Sequence, residues 1–124
     1  MDEQPEREED LNPGEYARKA VDVASEKQAT DILLLDIREV SSFTDYFVIM
    51  SAGSRRQMDA LSQDMQSELK QAGASLHHRE GGLESGWLLL DFGDVIVHVF
   101  APEVRDHYQL EELWARGKQL VRIQ

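Results

Sequence analysis

Two hydrophobic periodicities alternate along the chain. Tyr16, Ala20, Val23 and Ala24 recur at helical spacing, which predicts a first helix ending near Glu26. Asn12-Pro13-Gly14-Glu15 supplies its start: an N-cap, a first-turn proline and a glutamate able to reach back to the cap. The spacing then changes. Asp31 to Ile37 is dense in Ile and Leu, and after a polar Ser41-Ser42-Phe43-Thr44 link comes Tyr46 to Met50, so two strands are expected. Gly53 closes that run, Ser54 and Gln57 have capping-box spacing, and Met58, Leu61, Met65 and Leu69 form one apolar stripe towards Gly73. This is the strongest helical signal in the chain.

Beyond Gly73, Leu76 to Glu80 reads as a polar strand ended by a Gly81-Gly82 break. Trp87 to Phe92 and Val95 to Phe100, joined by Gly93-Asp94, read as a tight hairpin. Pro102 stops the last strand, and Val104, His107, Tyr108, Leu110, Leu113 and Trp114 return to helical spacing over Glu103 to Trp114. The predicted order is α-β-β-α-β-β-β-α, an α/β fold with a mixed five-stranded sheet and helices packed on it. At 124 residues the chain suits a single domain over 12–124. Residues 1–11 are charged and nearly free of apolar side chains, which predicts a disordered acidic tail.

Charge narrows the partners. Net charge is −11, and the first ten residues hold six acids and one arginine, so the other 114 still carry −6. Contact along a nucleic-acid backbone is disfavoured, and basic protein surfaces are the suitable partners. No apolar run approaches the ~20 residues that span a bilayer. The acid-rich start is neither a secretory nor a transit signal, and there are no cysteines, so a cytoplasmic location is expected.

Candidate chemistry is sparse. His77 and His78 are strand neighbours pointing to opposite faces, and His98 sits among Val95, Ile96, Val97, Val99 and Phe100 as a hydrogen-bonded core histidine would. Asp91, Asp94 and Glu103 would hold a hard cation if they converged, but Asp94 occupies a turn position that favours small polar residues for backbone reasons. Gly53-Ser54 at a helix start resembles an anion-binding loop, without the glycine and lysine spacing of a P-loop. It also resembles the Gly-Ser of nucleotidyltransferases, whose Asp-x-Asp pair is missing. No cysteine or Gly-x-Ser-x-Gly elbow supports nucleophilic catalysis. Trp87, Trp114, Tyr46 and Tyr108 are residue types that dominate protein interfaces.

Several segments together carry a resemblance: Asp45-Tyr46-Phe47-Val48-Ile49, Gly53-Ser54-Arg55-Arg56-Gln57, Glu80-Gly81, the long block from Trp87 to Phe100, and Tyr108-Gln109-Leu110-Glu111-Glu112-Leu113-Trp114. In order and spacing, over about residues 13 to 116, they resemble the ribosomal silencing factor (Iojap) family. Met58 stands where an aliphatic residue is usual in that family, Phe92 where tyrosine is frequent, and the acidic tail is additional.

The resemblance implies a non-enzymatic domain of nucleotidyltransferase-like fold, with no cofactor and no metal. It also implies docking on large-subunit ribosomal protein fourteen. On the large ribosomal subunit this blocks joining of the small subunit and represses translation in starvation; a homodimer is a family tendency. For the docking surface the candidates are Glu80, Trp87, Leu89, Asp91, Asp94, Tyr108, Glu111 and Trp114, of which Trp87, Leu89 and Asp91 share one strand face by alternation. Two other readings remain: a residual nucleotide-binding or phosphotransfer enzyme using Ser54, Asp91 and Asp94, and a dimerisation adaptor that never meets the ribosome.

Overall fold

A computed structural model describes residues 11–124, so the expected disordered tail lies outside the described residues except for Leu11. In chain order the elements are α1 (Pro13–Glu26), β1 (Thr30–Asp36), β2 (Tyr46–Ser51), α2 (Arg55–Gln71), β3 (His78–Gly82), β4 (Trp87–Asp91), β5 (Val95–Phe100), α3 (Pro102–Tyr108), α4 (Leu110–Leu113) and β6 (Lys118–Ile123). The strands form one mixed sheet in the order β3-β4-β5-β2-β1-β6. Only β2 and β5 run parallel, with Tyr46 opposite Val95 and Ser51 opposite Phe100; the other four pairings are antiparallel.

Asn12 and Ser54 cap α1 and α2 as expected, but only α1 closes the full capping box. Around α1 the box is reciprocal, with the Glu15 N–H donating to Asn12 Oδ1 and the Asn12 N–H to Glu15 Oε1, both at 2.9 Å. At α2 the Gln57 N–H donates to Ser54 Oγ at 3.1 Å, but Gln57 Oε1 accepts from Gly53 rather than from the cap residue. The Gln57 amide also donates to the carbonyls of Lys27 and Gln28, which ties α2 to the turn leaving α1.

The sheet buries both faces. Ile32, Leu34, Val48, Met50, Leu88, Leu90, Val97 and Val99 meet the α1 and α2 stripes, including Met58, Leu61, Met65 and Leu69. On the reverse face Leu33, Leu35, Phe47, Ile49, Ile96 and Phe100 pack with Leu110, Val104 and Trp114 from the C-terminal segments. The predicted division of β4 is borne out: Leu88 and Leu90 are buried in the first core, while Trp87, Leu89 and Asp91 are half-buried on the other side.

Three expectations need correction. The sheet has six strands, not five, because β6 adds to β1 as an outer strand. Strand β3 covers His78–Gly82 and not Leu76 to Glu80, since Gly81 and Gly82 pair with Leu88 and Trp87 instead of breaking the ladder. Gly81 has φ +75, and a Cβ there would sit 1.9 Å from the Trp87 carbonyl oxygen, so only glycine lets the two strands approach.

The continuous helix expected from Glu103 to Trp114 is instead two short ones, interrupted at Gln109 in the left-handed region (φ 51, ψ 49). An ion pair between buried Arg105 and half-buried Glu111 requires that break. Arg105 Nε donates to Glu111 Oε2 at 3.0 Å, whereas residues six apart in a straight helix are offset by ~9 Å along the axis and point in different directions.

Candidate functional site

On the face covered by α3 and α4, aromatic rings form a continuous band across three strands. Tyr108 lies 4.9 Å (ring centroids) from Trp87, which lies 4.8 Å from Phe100 and 6.0 Å from His98. His98 meets Phe47 edge to face at 4.6 Å, Phe47 meets Trp114 at 5.3 Å, and Trp114 meets Phe43 at 5.7 Å. Strand pairing produces the band. Trp87 is opposite Phe100, and Phe47 is opposite Ile96 in the parallel pair, so like-facing side chains of β4, β5 and β2 line up.

Solvent reaches both ends. Tyr108 is 51% exposed and Phe43 58%, and Leu113, in α4, is 76% exposed. At the Tyr108 end a groove of about 260 Å³ is lined by Glu80, Gly81, Ser85, Trp87, Leu89 and Tyr108. Ser85 shapes its rim: its hydroxyl accepts from the Gly82 N–H and donates to the Trp87 carbonyl, both at 3.2 Å.

The eight candidate residues divide. Glu80, Trp87, Leu89 and Tyr108 line the one groove, and Trp114 belongs to the same band three rings away. Asp91, on the same strand face, has its carboxylate engaged, since Oδ1 accepts from the Gly93 N–H at 2.7 Å. Asp94 stands apart in the β4–β5 turn, where its carbonyl accepts from the Asp45 and Tyr46 amides and the residue lines a different cavity, shared with His77 and Pro13. Glu111 faces inward to Arg105, and its second oxygen, Oε1, is buried without a partner. Arg105 is itself buried and also donates to the Asp31 carbonyl at 2.7 Å and to Ser51 Oγ at 2.9 Å.

Sequence reasoning passed over Phe43, Phe47 and Leu113. Phe43 was hidden in a link that reads as polar, and Leu113 falls on the helical stripe that the Gln109 break turns outward. His98 is the expected core histidine. The Trp87 indole N–H donates to its Nδ1 at 3.1 Å, and burial pushes its pKa down to about 3, so the ring is neutral at physiological pH.

The residues of the phosphotransfer reading do not converge. Ser54 follows the C-terminal end of β2, while Asp94 precedes the N-terminal end of β5, and the two strands are parallel and in register. Ser54 and Asp94 therefore lie at opposite ends of the sheet, roughly 17 Å or more apart. Ser54 Oγ and the Gly53 amide are also occupied by Gln57. Among the described residues no three His, Asp or Glu side chains cluster as metal ligands, and no helix is long and apolar enough to cross a membrane.

Comparison with known proteins gives a consistent set. The family model described as "Ribosomal silencing factor during starvation" matches residues 10–124. The ribosomal silencing factor of Bacillus subtilis is 36% identical over 104 residues, covering 84% of this chain and 88% of that protein. A mouse protein named for mitochondrial assembly of the ribosomal large subunit is 34% identical over 97 residues, 76% of this chain and 42% of its own length. A crystal structure of a Chromobacterium violaceum protein superimposes with a TM-score of 0.81 at 33% identity, covering 90% of this chain and 92% of that one.

Proposed function

The chain belongs to the ribosomal silencing factor family, and from that premise we propose that it represses translation by docking its aromatic face on large-subunit ribosomal protein fourteen, in the cytoplasm, so that the small subunit cannot join. The observation that carries this reading is the aromatic band with both ends open to solvent. Rigid aromatic rings are good interface anchors because they bury large areas at little cost in side-chain freedom. Glu80 beside Trp87 and the acidity of the chain suit a basic partner. The name of the mouse relative points to the large subunit.

The mechanism is occlusion, with no bond made or broken. The parallel β2–β5 pair and the Gly-Ser turn into α2 support, within the same reading, a kinship of fold with nucleotidyltransferases whose chemistry has been lost. Self-association through the same exposed apolar ends is a second use of the face, and it would compete with docking.

Sedimentation of the purified protein with separated ribosomal subunits tests the proposal. The protein is expected with free large subunits and not with small subunits or joined ribosomes. Equal binding to both subunits, or to joined ribosomes, would overturn it. Trp87→Ala should weaken the interaction by about 2 kcal/mol or more as a lost anchor. Binding should also weaken with salt, since attraction between exposed charges is screened beyond ~10 Å at 0.1 M.

A further inference from the structure

His98 lies buried in the middle of the aromatic band, with its ring against Phe47, Trp87 and Phe100. Because Nδ1 accepts the Trp87 indole N–H, the ring proton is on Nε2, and Nε2 is buried with no hydrogen-bond partner. An unpaired buried donor destabilises a fold. A leucine in this place would fill the face without one, so packing does not account for the histidine. What histidine supplies and leucine cannot is an acceptor for the indole. Among the described residues Trp87 Nε1 makes no other hydrogen bond.

That bond has a definite geometric effect. Phe100 and Tyr108 contact the indole ring at 4.8 and 4.9 Å and limit its tilt, while the 3.1 Å bond to His98 fixes which edge points inward. Trp87 held in this way is one wall of the groove that Leu89 and Glu80 also line. A side chain held in its binding conformation loses less freedom when a partner arrives. We infer that His98 is a positioning residue for docking, which holds the Trp87 indole in one orientation so that the groove is formed before the ribosomal partner is met. The inference rests on the docking reading for its consequence but not for its geometry.

The experiment uses the full chain with His98→Leu and His98→Asn, the latter placing an amide oxygen near the position of Nδ1. Indole N–H exchange with solvent is read by NMR, with Trp114 as the internal reference, and affinity is measured for free large subunits. In His98→Leu the Trp87 N–H is expected to exchange at least about tenfold faster while Trp114 is unchanged, and affinity should fall about tenfold without a drop in melting temperature. His98→Asn should recover both.

Unchanged protection of Trp87 in His98→Leu would overturn the positioning role, and unchanged affinity with a loosened Trp87 would overturn its importance for docking. If His98→Leu does not fold, Trp87→Phe, which keeps a ring and loses the donor, must show the same loss of affinity, and parent-like affinity overturns the inference. Should the parent itself fail to bind large subunits, the docking reading falls, and the exchange measurement alone decides whether His98 positions Trp87.

Discussion

Arg105 is a buried charge whose bonds reach three separate parts of the chain. It joins α3 to the Asp31 carbonyl at the start of β1, to Ser51 at the end of β2 and to Glu111 in α4. Asp31 has a positive φ of 48, an uncommon conformation for a non-glycine residue, and the Arg105 bond to its carbonyl holds it there. Removing the guanidinium would leave the Glu111 carboxylate facing a buried site without its partner. Arg105→Met should therefore cost about 3–5 kcal/mol in urea unfolding. Adding Glu111→Leu should recover part of that, because the stranded charge goes too. Full stability of the single variant would show that the pair is dispensable. For Leu90, wholly buried in the first core, truncation to alanine should cost about 2–5 kcal/mol.

His98 gives a prediction in pH. The unfolded imidazole titrates near 6.5 and the buried one near 3, so below pH 6.5 the unfolded chain takes up a proton that the folded one refuses. Stability should fall between pH 6.5 and 3 by about 1.4 kcal/mol per pH unit from this group, and above 6.5 the group should have no effect. Asp36, held below the usual carboxylate range by its hydrogen bond to Arg38, adds a loss only once pH falls below the unfolded carboxylate's ~4 towards its own lowered pKa. Urea midpoints from pH 7 to 4.5 should therefore slope in the parent and flatten in His98→Leu. Parallel slopes would contradict the assignment.

Elements with a clean periodicity were the legible ones. The Met58-Leu61-Met65-Leu69 stripe with its Ser54 cap gives α2, while the face division of β4 follows from strand geometry alone, since Trp87-Leu88-Leu89-Leu90 is apolar throughout and only its burial alternates. Ser54→Ala should cost about 1 kcal/mol and leave ribosome binding intact at permissive temperature; loss of binding in a folded variant would assign the loop a role beyond capping. The elements missed are those whose pattern is set by tertiary contacts. Strand β6 has Leu120 and Ile123 partly exposed and only Val121 packed on the core, so no alternation marks it. Glu103 to Trp114 keeps helical spacing, yet the chain bends at Gln109 to close the Arg105–Glu111 pair, a requirement that no local pattern announces.

Across the whole molecule, the candidate docking residues come together only in part. Trp87, Leu89 and Tyr108 were selected by residue chemistry and alternation, and they do share a groove. Glu111 and Asp94 were selected by charge; one is turned inward and the other sits in a distant turn, because burial and turn geometry are not visible in composition. Phe43 and Leu113, which carry much of the exposed apolar surface, lie in segments whose direction only the folded sheet determines. One face of a two-sided sheet is closed by α1 and α2, and the other is left partly open between short C-terminal helices.

If that open face acts by occlusion, subunit joining itself is the most direct readout. Light scattering should show that large subunits preincubated with stoichiometric protein fail to join small subunits, that preincubating the small subunits first gives no extra inhibition, and that Trp87→Ala restores joining. Normal joining in the presence of saturating, bound protein would contradict the account.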